Sequence, residues 1–133
     1  MLPSDSIGSS SPVRIVGIEG EFFFGSVEVF HTTLKEVADK EEVEVIILNL
    51  HTARHLDATA CLVLNTLYTL LQKKGCFLMF ANISKPAWKV MRRSGLISLI
   101  GKDNFFQLDD RLPNLALRKA VHRAQQLIEK VEE

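Results

Sequence analysis

Residues 43–50 read Val-Glu-Val-Ile-Ile-Leu-Asn-Leu, β-branched and almost continuously apolar, the pattern of a central strand covered by helices on both faces. Residues 13–19 predict an earlier strand, Gly20 and Glu21 a tight turn, and Phe22, Phe23 and Phe24 a second strand ending at Gly25, together an N-terminal β-hairpin. Ser26 caps a predicted helix to about Lys40, in which Val29, Phe30, Thr33, Leu34 and Val37 recur at helical spacing. After a loop at 51–56, Asp57 is placed to cap a helix over 58–74, which Gly75 closes with Lys73 and Lys74 at its negative end. Residues 76–83 then read as a buried strand and 86–94 as a short helix stopped by Gly95. Residues 105–108 make a last short strand. Pro113 opens a terminal helix whose apolar stripe is Leu117, Ala120, Val121, Ala124, Leu127, Ile128 and Val131.

Strands alternating with helices imply crossover connections. The fold expected is therefore α/β, with a mixed, mostly parallel central sheet, an N-terminal β-hairpin and about four flanking helices. Residues 1–12, rich in serine and glycine with almost nothing to bury, read as a flexible linker or tail, and 13–133 as one domain. At 133 residues and 47% hydrophobic the chain can bury a core of its own.

Charge and cysteine content narrow the function. Sixteen basic and sixteen acidic side chains cancel, so no global field draws the chain onto nucleic acid, which is not an expected partner. Cys61 and Cys76 have neither metal-knuckle spacing nor the density of a disulfide scaffold, which points to a reducing compartment. No apolar run approaches the roughly 20 residues needed to span a bilayer, and residues 1–12 are too polar for a signal peptide, so the chain as given is expected to be soluble.

The segment Leu56-Asp57-Ala58-Thr59-Ala60-Cys61 places an acid and a hydroxyl where a central strand hands over to a helix. The helix start could hold a phosphate or receive a phosphoryl group on a side chain; equally, Asp57 is simply a cap and Thr59 a first-turn residue. His51, His55 and Asp57 do not make a metal set, because a spacing of four puts two histidines on one face only in a helix. Cys61 lies among leucines with no evident base, and Gly17, Gly20 and Gly25 lack Walker spacing. No catalytic residue and no metal site is therefore assigned, and the chain is not expected to be an enzyme.

Two surfaces invite contact. Lys89, Arg92 and Arg93 on the helix at 86–94, with Lys85 just before it, form a basic ridge, either a solvated face or a contact for anionic headgroups or an acidic partner, with Trp88 beside it. Leu62, Val63, Leu64, Leu67, Leu70 and Leu71 exceed what one sheet face requires, so the helix at 58–74 either carries a second packing surface or is wholly buried.

In order along the chain, Ile18-Glu19-Gly20-Glu21-Phe22-Phe23-Phe24-Gly25, Val45-Ile46-Ile47-Leu48-Asn49-Leu50, Leu56-Asp57-Ala58-Thr59-Ala60, Ser94-Gly95-Leu96 and Ile100-Gly101 resemble the sulfate transporter and anti-sigma factor antagonist domain, STAS. The resemblance runs from Val13 to about Ile128, and the Phe-Phe-Gly ending favours the version at the cytoplasmic C-terminus of SulP-type anion transporters. In the antagonist branch a phosphoacceptor serine follows the aspartate; Ala58 stands there and has no hydroxyl, although the adjacent Thr59 could carry added charge at the helix start. Ala60 replaces a glycine common at its position.

What the resemblance implies is a regulatory, protein-contacting module, with Asp57, Ala58, Thr59 and Ala60 as its partner-binding turn. It would lie on the cytoplasmic side of the inner (plasma) membrane, joined by the linker to the membrane domain of a transporter for sulfate or a related anion. A further regulatory protein, the inner membrane surface and a second copy are its other implied contacts. No cofactor is expected; some relatives bind nucleotides weakly, which no residue here locates. The alternative is a free-standing antagonist that binds a kinase or anti-sigma factor through Asp57, Thr59 and the helix that follows.

Overall fold

The computed structural model describes residues 12–21, 43–54, 56–112 and 114–132. Within them four strands form one sheet in the order β1 (Val13–Glu21), β2 (Val45–Arg54), β3 (Phe77–Ile83), β4 (Phe105–Gln107), every neighbouring pair parallel. Helix α1 (Ala58–Lys73) connects β2 to β3. Helices α2 (Lys85–Arg93) and α3 (Leu96–Ile100) and a 3-10 turn (Lys102–Asn104) connect β3 to β4, and α4 (Leu115–Glu132) follows.

Alternation along the strands sorts the continuous apolar runs onto two faces. Ile46, Leu48, Leu78 and Phe80 meet Leu64, Leu67 and Leu71 of α1, Met91 of α2 and Leu96 of α3 in one cluster. Val45, Ile47, Met79 and Ala81 meet Ala120, Ala124 and Ile128 of α4 in the other, the two alanines leaving room for that helix to lie close to the sheet. Each fully buried leucine or isoleucine contributes about 1.5–3 kcal/mol, so this two-sided burial dominates the stability of the sheet. Phe80 and Phe105 stack across β3 and β4 with ring centroids 4.8 Å apart, and Trp88 meets Phe105 edge-on at 6.3 Å. Trp88 thus ties α2 to the edge strand and is only partly available as a surface contact.

The expected α/β architecture is present, with corrections in its connections. Gly20 and Glu21 do not turn; they continue β1 and pair with Ala53 and Arg54. The loop expected from His51 is strand as far as Arg54 for the same reason, since the ladder with β1 holds it extended. The strand expected at Phe22–Phe24, the helix at 26–40 and Pro113 lie outside the described residues, so the hairpin's second strand is among them. A helix not foreseen, α3, fits between Gly95 (φ +84°) and Gly101 (φ +105°), positive angles that L side chains rarely adopt. Five residues are too few for a helical period to emerge from the sequence.

Candidate docking surface

At the carboxyl end of the sheet, Leu56 turns inward against the core and Asp57 takes an extended conformation (φ −123°, ψ −175°) that starts α1. Its Oδ1 accepts from the backbone N–H of Ala60 at 2.8 Å, and its carbonyl accepts from that of Cys61 at 3.1 Å. The carboxylate therefore occupies part of the anion-attracting helix start, which is the capping role. Ala58 and Thr59 are exposed beside it, whereas Ala60 is buried in the core and offers a partner no side chain.

The helix splits the six apolar residues singled out in the sequence. Leu64, Leu67 and Leu71 are buried, Val63 and Leu70 half-buried, and Leu62 remains 67% exposed. Around Leu62 the exposed positions are Ala58, Thr59, Asn65, Thr66 and Thr69, none charged. The hydroxyls of Thr66 and Thr69 donate back to the carbonyls of Leu62 and Asn65, each at 3.1 Å, so this face presents few free donors. In a chain that is 24% charged, an exposed helix face without charge as far as Gln72 is suited to contact another surface.

Lys85, Lys89, Arg92 and Arg93 are all exposed on α2, while Met91 is buried and Ala87, Trp88 and Val90 pack against the core. Ser84 caps this helix, its Oγ accepting from Ala87 N–H at 3.2 Å, and Arg92 and Arg93 sit in the last turn where the helix end is negative. The basic ridge is thus one continuous feature on the side opposite the buried Met91.

Neither cysteine is placed for chemistry. Burial pushes the Cys61 thiol up; a hydrogen bond with Ser94 opposes this and the Asp57 carboxylate adds to it. A thiol held protonated is a poor nucleophile, and Cys61 packs in the larger core cluster. The His51 side chain is exposed, and His55 lies outside the described residues. Among the described residues no three His, Cys, Asp or Glu side chains converge as a metal site, and no helix is long and apolar enough to cross a membrane.

Two features were missed in the sequence. Asn49 and Asn82 form a polar pair inside the apolar runs of β2 and β3, where an asparagine breaking each run was the only signal. The second is a cleft between α4 and β4, foreshadowed by Arg118, Lys119, His122 and Arg123 at helical spacing.

A parallel sheet covered by helices, with a capped turn and an uncharged helix face exposed beside it, defines an α/β module of a recognisable class. The STAS domain model matches residues 7–110, and the chain belongs to that family. It is 27% identical over 100 residues to the putative sulfate transporter YvdB of Bacillus subtilis (strain 168), an alignment covering 75% of this chain and 19% of the relative. The chain thus spans about a fifth or less of the length of the curated relatives it matches. A sulfate transporter family protein from Wolinella succinogenes superposes with a TM-score of 0.74 at 25% identity, covering 89% of this chain and 88% of that one. The anti-sigma factor antagonist SpoIIAA in its unphosphorylated form shares the fold, with a TM-score of 0.64 at 13% identity over 95% and 97% of the two chains.

Proposed function

We propose that this chain is the cytoplasmic regulatory module of a SulP-type transporter for sulfate or a related anion, acting by contact and not by catalysis. The observation that carries this reading is its likeness to sulfate transporters in which the matching part is under a fifth of the whole. The missing hydroxyl at Ala58 argues in the same direction, because a kinase-driven cycle of the antagonist form has no acceptor at the position after Asp57. In this reading the uncharged face around Leu62 docks on the transporter's own membrane domain, and the turn at Asp57, Ala58 and Thr59 sets the register of that docking. The basic ridge of α2 then lies toward the anionic inner surface of the membrane, where each cation near the headgroups is worth about 1 kcal/mol.

Labelled sulfate uptake by the full-length natural protein tests the proposal. Deleting residues 13–133, or replacing Leu62→Asp, is expected to change uptake while the protein still reaches the membrane. A natural reading frame without membrane spans, or uptake indifferent to both changes, would overturn it. The exposure of Thr59 in the first turn favours one second reading, a free-standing partner-switching protein. Thr59→Glu would then alter capture of a kinase or anti-sigma factor, and unaltered capture would remove that reading.

A further inference from the structure

Helix α4 turns its alanines to the sheet, and this brings the next positions around the helix to the rim of β4. Arg118, Lys119, His122 and Arg123 line a cleft of about 500 Å³ there, together with Phe106 of β4 and Asp103 of the 3-10 turn. Three permanent cations face a single acid among these six residues, in a chain whose total charge is zero. Arg123 is half-buried at the cleft wall, and its Nε is shut off from solvent and has no hydrogen-bond partner, a costly state for a charged donor that turning the guanidinium toward an acceptor in the cleft would relieve. The adjoining hollow, which shares Phe106 and Lys119, holds Asp109 and Asp110 and so has no such excess of positive charge.

We propose that the α4–β4 cleft binds a tetrahedral oxyanion of the sulfate or phosphate kind, held by Arg123 and Arg118 with Lys119. A guanidinium fork matches two oxygens of such an anion, and charge-assisted bonds of this type are the strong ones. The volume suits a small ligand more than a protein segment, and the Phe106 ring offers an apolar wall for the substituent of an ester. The site rests on the residues of this chain and stands whether or not the transporter reading holds.

Titration of the 133-residue chain, followed by amide NMR at fixed ionic strength, tests it with inorganic sulfate, inorganic phosphate, phenyl phosphate and chloride as separate arms. Saturable shifts confined to residues 118–126 and Phe106 are expected with at least one of the tetrahedral anions and not with chloride. Phenyl phosphate binding more tightly than phosphate would identify an ester as the ligand, and equal binding a free anion. Arg123→Gln is expected to weaken binding about tenfold or more. The exposed Lys119→Gln, less exposed to folding defects, is expected to weaken it less, and Arg92→Gln with Arg93→Gln to leave it unchanged. Shifts that grow linearly, that chloride reproduces, or that survive both Arg123→Gln and Lys119→Gln would overturn the proposal. Uptake by the full-length protein is a separate measurement, so failure here and failure of the transporter reading are told apart.

Discussion

Asn82 donates its side-chain N–H to Asn49 Oδ1 over 2.9 Å, and each residue stands where the sheet slips register. Opposite Asn49 the pairing of β1 with β2 shifts between Gly17 and Glu19, and Asn49 Oδ1 also accepts from the backbone N–H of His51 at 3.1 Å. Asn82 is skipped in the pairing of β3 with β4, which passes from Ala81 to Ile83, and it takes φ +60° while nearly fully buried. One hydrogen bond therefore joins two bulges at the carboxyl end of the sheet, the end from which β2 proceeds to Asp57.

The left-handed backbone at Asn82 gives a discriminating test. Asn82→Gly and Asn82→Ala both lose the bond to Asn49, a loss of about 1 kcal/mol. Only alanine also carries a Cβ into the left-handed region, so Asn82→Ala is expected to be the less stable of the two by about 1 kcal/mol. Urea unfolding of both variants checks this; an alanine variant as stable as the glycine one would mean that the bulge relaxes.

The Asp57 carboxylate caps α1 through the N–H of Ala60. Asp57→Ala is expected to cost about 1 kcal/mol, and Asp57→Asn much less, because an amide oxygen also accepts that bond. Thermal unfolding distinguishes them. Equal losses in the two variants would assign the effect to charge and not to the cap.

How much of this was legible in advance follows from the range of the forces. The start and stop of α1 rest on Asp57 and Gly75, whose signals are local, and the helix begins at Ala58 as its cap requires. Strand β2 was readable because its two-sided burial leaves an almost continuous apolar run. Its extension to Arg54 was not, since Thr52, Ala53 and Arg54 are held extended by pairing with β1, some thirty residues earlier. The polar pair was hidden for the same reason: Asn49 and Asn82 lie 33 residues apart, and only the sheet brings them together. At the turn, sequence located Asp57, Ala58 and Thr59 but not the inward orientation of Ala60, which depends on the phase of the helix against the core.

Leu62 and Leu67 lie on the same helix with opposite expectations. Leu67 is completely buried, so Leu67→Ala is expected to destabilise by about 2–5 kcal/mol. Leu62 is exposed, and Leu62→Lys is expected to leave unfolding free energy within about 0.5 kcal/mol of the parent. Chemical denaturation of both variants checks the pair. A large loss at Leu62 would mean that it already packs within the domain and is not free to dock.

Cys76 makes stability depend on alkaline pH. Burial, with a smaller push from the Glu44 carboxylate, raises its thiol from 9.0 to about 12, opposed by a backbone hydrogen bond at Ile46. The folded chain thus keeps the proton that the unfolded chain releases. The contribution is fully present below pH 9.0 and is lost as pH rises toward the folded value near 12. Subtracting the stability of Cys76→Ala from that of the parent cancels every contribution that the two chains share. The difference is expected to be flat up to about pH 8.5 and then to fall by up to about 1.4 kcal/mol per pH unit. Urea unfolding of the two chains, in steps to about pH 10.5, measures it; curves that stay parallel throughout would place the Cys76 thiol in contact with water.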